Sequence, residues 1–172
     1  MLALILALTV GQHAGSIKPQ AAMEQIAWMK GEWTGRQDFN TGGAPMMGDA
    51  TNHVEDAIGG RYLEERLSTS LPGRKPSDTR HMITFDPTSQ TYKAWWFNDT
   101  LVGPMELQGK IEEGKLVLTG KAAGQAGQGR NLRATYAHMR EADAETLTFT
   151  LEMDQDGHWF RLFTTTYKRA LH

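Results

Sequence analysis

Residues 146–153 read Thr146-Leu147-Thr148-Phe149-Thr150-Leu151-Glu152-Met153, with apolar and polar side chains in alternation. Successive side chains of an extended chain point to opposite faces. The segment therefore predicts a strand with Leu147, Phe149, Leu151 and Met153 on a buried face and the threonines and Glu152 on a wet one. Met105-Glu106-Leu107-Gln108-Gly109, continuing to Ile111, has the same period. Between such runs, turn-forming residues break the chain at short, similar intervals: Gly42-Gly43, Gly59-Gly60, Pro72-Gly73, Asp86-Pro87, Asn98-Asp99, Glu113-Gly114, the stretch Ala123 to Gly129, Ala142-Asp143 and Asp156-Gly157. These breaks define about ten strands. No segment between them is long enough for a crossover helix, so sequence neighbours pair antiparallel as an up-and-down meander. An open sheet of that width exposes two edges. Closing it into an all-β antiparallel barrel removes both edges and gives every apolar face one shared interior. A two-sheet sandwich is the competing arrangement; the hairpins follow one another without the long connections of a Greek key, which favours the barrel.

One stretch departs from this pattern. Pro19 to Lys30 carries Ala21, Ala22, Met23, Ile26, Ala27 and Met29, with proline at its start and Gly31 just past its end. It predicts a short amphipathic helix that closes one end of the barrel. Ahead of it, Met1 to Val10 (MLALILALTV) is apolar throughout but too short to span about 30 Å of hydrocarbon as a helix. Small residues near a cut site (Thr9, Gly11, Ala14) suit the hydrophobic part of a secretory signal, although no Lys or Arg precedes Lys18. Residues 1–18 are thus expected to be signal and linker, and residues 19–172 one barrel domain in a periplasmic or secreted protein. The alternative is an apolar terminal helix retained in a cytoplasmic protein.

Composition excludes several activities. The chain of 172 residues is 40% hydrophobic and 22% charged, which suits one folded soluble domain. It contains 0 Cys, so disulfides, thiolate metal sites and a cysteine nucleophile are absent. A net charge of -2, with acids and bases interspersed, makes neither a nucleic acid nor an anionic membrane surface an expected partner. The histidines at 13, 53, 81, 138, 158 and 172 are scattered, without metal-ligand spacing, so no metal site is expected. A single axial imidazole would still suffice for haem, and His138 is then the best-placed ligand. No G-x-S-x-G nucleophile motif occurs.

Alternation assigns the inward positions. They include Leu63, Glu65, Leu67, Tyr92, Trp96, Met105, Leu107, Leu116, Leu118, Tyr136, His138, Leu147, Phe149 and Leu151. About ten strands enclose more width than a packed eight-stranded barrel, so a cavity lined by Leu63, Glu65, Leu67, Tyr92, Trp96, Met105, Leu107, Tyr136, His138 and Phe149 is expected to bind a small apolar or amphipathic molecule. Glu65 stands out as a carboxylate between apolar neighbours, which requires a partner; His81, His138 and Arg133 are the candidates. The alternative for Glu65 is a strand bulge, or a place in water at the barrel mouth. From Leu116 to Arg140 there is no acid, and the Gly/Gln/Ala-rich loop within that stretch is flanked by Arg130 and Arg133. These two arginines are expected to meet an anionic group of the ligand at the mouth. Non-enzymatic binding or transport is the first functional reading. A cavity isomerase, cyclase or haem enzyme using Glu65 and His138 as acid and base is the second, and a solidly packed structural barrel the third.

Gly31-Glu32-Trp33, directly after the helix, resembles the G-x-W of lipocalins and related calycin barrels. That resemblance implies that Trp33 packs beneath a basic side chain of the final strand, with Arg169 placed to be that partner and Lys168 the alternative. The wider pattern is Ala27-Trp28-Met29-Lys30-Gly31-Glu32-Trp33-Thr34-Gly35, Gly59-Gly60-Arg61-Tyr62-Leu63, Phe85-Asp86-Pro87 with Tyr92 and Trp96, Asp156-Gly157 and Tyr167-Lys168-Arg169. It resembles the uncharacterised bacterial family called domain of unknown function 1579, over nearly everything after Pro19. That family implies a lipocalin-like barrel and brings no reaction or catalytic residues with it. Gly31 to Gly35 is also similar to nitrobindin-type haem barrels, but the proximal histidine near the end of such a barrel has no clear counterpart. Lipocalin disulfide cysteines and the Arg-x-Tyr pair of fatty-acid-binding proteins are both missing, so neither group's ligands carry over.

Overall fold

The computed structural model describes residues 16–40, 42–44, 46–99, 103–122 and 129–169. Ten strands follow one another: β1 Gly31–Phe39, β2 Met46–Ala57, β3 Tyr62–Ser70, β4 Ser77–Asp86, β5 Thr91–Asn98, β6 Met105–Glu112, β7 Lys115–Lys121, β8 Asn131–Arg140, β9 Glu145–Gln155 and β10 His158–Arg169. Each pairs antiparallel with its sequence neighbour, and β1 pairs with β10, so the sheet closes on itself as an up-and-down barrel. Every break expected from the turn residues lies between two strands or, at Asp86-Pro87 and Asn98-Asp99, begins on the last residue of one. The apolar run at Met1 to Val10 lies outside the described residues. No helix among the described residues is long and apolar enough to cross a membrane.

The helical segment is shorter than its sequence pattern suggests. α1 spans Pro19–Gln25, and a 3-10 turn over Ala27–Met29 follows it. Ile26 leaves the helical region with φ -110, and its N–H bonds Met23 O rather than continuing the α pattern. The Met29 carbonyl at the end of this turn accepts from the Trp33 indole N–H, 2.8 Å away.

Barrel curvature shows at glycines whose inner side has no room for a side chain. A Cβ on Gly35 would stand 2.1 Å from the Thr166 carbonyl oxygen, and one on Gly109 would stand 1.8 Å from that of Val117. At both places the neighbouring backbone passes over the glycine as the sheet bends into a tube. Alternation then sends Trp33, Leu63, Ile83, Leu107, Leu118, Tyr136 and Phe149 into one core continuous with Met23, Ile26 and Met29 of the helical segment. Gly109→Ala is expected to destabilise the protein by about 1–3 kcal/mol, since the obstruction is backbone and cannot rotate away. A chemical-denaturation midpoint equal to that of the parent protein would contradict this account of the bend.

Candidate functional site

Four polar side chains from four strands meet inside the barrel: Asn52 on β2, Glu65 on β3, His81 on β4 and Tyr136 on β8. Local alternation turns each inward. Glu65 lies between Leu63 and Leu67 on the buried face of β3, and His81 shares its face of β4 with Ile83 and Phe85. Register sets Glu65 beside Val54 on one side and His81 on the other. No bulge interrupts these pairings and Glu65 is 0% exposed, so it is neither bulged out nor in water at the mouth. Its partner among the three candidates is His81, not His138 or Arg133.

The carboxylate is fully engaged. Asn52 Nδ2 donates to Glu65 Oε1 at 2.6 Å, and the Tyr136 hydroxyl donates to Oε2 at 2.7 Å. His81 Nδ1 lies 2.6 Å from the same Oε2 and 2.9 Å from the Tyr136 oxygen. With the proton on Nδ1, three donors converge on one buried carboxyl group. Burial first, then the charge and hydrogen bond of Glu65, push the Tyr136 hydroxyl well above its usual range, so it stays a donor. Burial and then the charge of Glu65 also raise Tyr167.

A cavity of about 540 Å³ opens at the end of the barrel away from α1. Its apolar wall is Phe39, Leu67, Leu71, Met105, Phe149, Leu151 and Phe163, with Gln37, Thr69 and Thr165 among its polar lining residues. His81 and Trp96 reach it from within the barrel, and Arg74 and Lys75, on the exposed turn between β3 and β4, reach it from outside. Trp96 stacks on the imidazole with ring centres 4.2 Å apart and planes 12° from parallel, and Phe149 meets both rings edge-on. The Trp96 indole N–H is buried without a partner among the described residues. A larger crevice of about 920 Å³ runs between α1 and the β2–β3 turn, and its lining includes none of the interior polar groups.

The barrel is therefore open in one half and solid in the other, which divides the residues expected to line a cavity. Leu67, Trp96, Met105 and Phe149 line it. Glu65 and Tyr136 form the polar network that holds His81. Leu63, Tyr92 and Leu107 are packed core; the Tyr92 hydroxyl donates to the Ala22 carbonyl of α1 at 2.6 Å. His138 lies two residues beyond Tyr136, roughly 7 Å further toward the helix. There it stacks on Trp28 with ring centres 5.4 Å apart, and its Nε2 is enclosed without a partner among the described residues. The pairing of Glu65 with His138 does not form. His138 is not among the residues lining either of the two cavities described above.

The arginines are also redistributed. Arg133 follows Leu132 on β8 and so faces outward, where its Nε lies 2.7 Å from Glu152 and its guanidinium covers the Trp159 ring at 4.4 Å. Arg130 stays at the mouth end, exposed and off the cavity wall, and the loop stretch 123–128 beside it lies outside the described residues. The cations at the cavity are Arg74 and Lys75 instead, and neither has an ion pair among the described residues. At the closed end, Arg169 stands over the Trp33 ring at 4.6 Å and pairs with Glu145. Asn52, Gln37, Thr165, Arg74 and Lys75 were not candidates from the sequence, and His81 was one only as a partner for Glu65. The alternation His81-Ile83-Phe85 would have placed His81 inside. Adjacent cations in the turn Pro72-Gly73-Arg74-Lys75 were visible, but nothing in the sequence told which hairpin overhangs the opening.

Tyr136→Phe removes one of three donors to a buried carboxylate and is expected to lower stability by about 1–3 kcal/mol, read from the denaturant midpoint. An unchanged midpoint would mean that the phenol does not hold Glu65. Alkaline pH gives a second expectation. Burial pushes Tyr92 up to about 12, and Tyr136 and Tyr167 are raised as well. Above pH ~10 the unfolded chain loses these phenolic protons while the native protein keeps them. Stability is then full below pH ~10 and falls as pH rises toward the folded values, by up to ~1.4 kcal/mol per pH unit for each tyrosine. Denaturation midpoints that stay level from pH 9 to 11.5 would oppose this.

The fold has a counterpart among solved structures, the crystal structure of Rv2717c from M. tuberculosis. The two share 13% sequence identity and a TM-score of 0.65 over 90% of this chain and 100% of that one, a likeness of fold alone. No curated protein matches the sequence. The profile of the family described as "Protein of unknown function (DUF1579)" matches residues 18–169, nearly the whole described barrel with its helix, and this chain belongs to that family.

Proposed function

We propose that this protein binds a small, partly apolar molecule with an anionic group, held in the cavity at the open end of the barrel. The observation that carries this reading is the cavity itself: about 540 Å³ walled by Leu, Met and Phe side chains on a closed, otherwise packed barrel. Pockets of that volume and lining suit small ligands, with a few polar groups fixing their orientation. Met105 and the aromatic rings give a wall that adapts to an irregular apolar body. Arg74 and Lys75 sit where a carboxylate, sulfonate or phosphate of the same molecule would emerge. Both lie in solvent, so their share of the affinity is modest and sensitive to salt.

Two fluorescent naphthalenes of nearly equal shape test this. 8-Anilinonaphthalene-1-sulfonate carries the anion and N-phenyl-1-naphthylamine does not. Both are expected to bind saturably, with Trp96 fluorescence quenched. Replacing Arg74 and Lys75 together by alanine is expected to weaken the sulfonate roughly three- to tenfold at low salt and to leave the uncharged probe unchanged. Failure of both probes to bind the folded protein would remove the cavity reading. An equal effect of the double substitution on both probes would remove the anion from it.

A further inference from the structure

We propose that His81 is a general base that acts on the bound molecule, with Glu65 as its positioning residue, and that the cavity turns over a carbonyl compound with an acidic C–H next to the carbonyl. This rests on the cavity reading and adds a reaction to it. The imidazole is engaged on one nitrogen only. Nδ1 faces Glu65 and Tyr136, Trp96 covers one ring face, and His81 still lines the cavity. No described residue bonds Nε2, which leaves that nitrogen for the occupant. In the tautomer that donates from Nδ1 to Glu65, the lone pair stands on Nε2. When Nε2 takes up a proton, Glu65 at 2.6 Å compensates the new imidazolium charge without rearrangement.

A structural role accounts less well for the same residues. A hydrogen-bonded polar cluster in a barrel core adds little stability over apolar side chains of the same volume, and most of the buried residues around this one are apolar. Here the pair stands between the solid half of the barrel and the cavity, where its one unengaged atom meets an occupant. In the step itself the C–H bond breaks and its proton goes to Nε2. The electron pair moves through the carbon onto the carbonyl oxygen, giving an enolate. Nε2 then returns the proton to that oxygen or to another carbon, so the products are a tautomer or an isomer. No oxidant, reductant or second substrate is needed. The apolar wall with Arg74 and Lys75 at its edge fits an aromatic or aliphatic body bearing a carboxylate. Phenylpyruvate combines an aromatic ring, a benzylic C–H beside a carbonyl and a carboxylate, and serves as the probe.

Binding of phenylpyruvate is followed by quenching of tryptophan fluorescence, and loss of its benzylic proton signal in deuterium oxide by proton NMR. The folded protein is expected to bind it and to speed exchange about 10²-fold or more over buffer, saturably. The rate is expected to rise with pH, because only an unprotonated Nε2 can accept the proton. The titratable groups near that ring are Glu65 from β3 and Tyr136 from β8, with Tyr167 from β10 close enough to feel Glu65. His81→Gln is expected to return exchange to the buffer rate with binding retained. Glu65→Gln should lower kcat at least about tenfold with KM little changed and should shift the pH profile, which a merely structural role would not do. In case either variant does not fold, nitrogen-15 NMR of histidine-labelled parent protein gives a second reading. It should show His81 protonated at Nδ1 and its Nε2 signal moving when phenylpyruvate is added. Binding without exchange, exchange that survives in His81→Gln, or a proton found on Nε2 would each overturn this inference and leave the cavity reading standing. If the naphthalene probes bind and phenylpyruvate does not, the substrate class named here is wrong and the inference falls. If no probe binds, both readings fall.

Discussion

The pairing of β1 with β10 is the constraint on which the remaining structure depends. Without it the molecule would be a ten-stranded open sheet with two bare edges, and the apolar faces would have no common interior. Closure carries its own demands. The chain must coil tightly enough for carbonyls to pass over Gly35 and Gly109, and the end of β10 must meet the start of β1 at Trp33 and Arg169. The Trp33 indole is then engaged on two sides, by the Met29 carbonyl at its N–H and by the Arg169 guanidinium over its face. One aromatic side chain thus ties the helical segment, the first strand and the last strand together at the closed end.

Closure at one end sets the character of the other. Met23, Ile26, Met29 and Trp33 fill the tube near the helix, and Leu63, Ile83, Leu107 and Leu118 continue the filling. Beyond Trp96 and Phe149 the filling stops. The polar group of Asn52, Glu65, His81 and Tyr136 stands at this change from solid core to cavity, where a buried carboxylate has protein donors behind it and one imidazole nitrogen left over. A carboxylate placed deeper would have needed the same three donors and offered nothing to an occupant. Placed at the mouth, it would have been solvated, and its hold on the imidazole weakened.

Much of this was legible from residues 19–169 before any coordinates. Turn pairs such as Glu113-Gly114 and Asp156-Gly157 mark the strand ends because few residues adopt a positive φ there, and the structure has positive φ at all four. Alternation in Leu147-Phe149-Leu151 marked the inward face, and a carboxylate in the same phase marked Glu65 as an anomaly in need of a partner. The choice among His81, His138 and Arg133 was not legible. It depends on how far along each strand the register brings a side chain, and one residue of slip exchanges inside for outside. Arg133 shows this directly, since it sits one position from Leu132 and is therefore on the outer wall.

Period and turn chemistry are local properties, carried by residues a few positions apart, and they determined from the sequence alone the strand number, the antiparallel order and the closed barrel with its capping helix. Which side chains stand together is a property of ring closure and of ten registers acting at once. Only the folded tube brought residues 52, 81 and 136 onto the Glu65 carboxylate, placed Arg74 and Lys75 rather than Arg130 and Arg133 at the opening, and left a cavity at the end away from the helix. The contact between Glu65 and Tyr136, 71 positions apart in the chain, has no local signature, because it is made by geometry accumulated around the whole circumference.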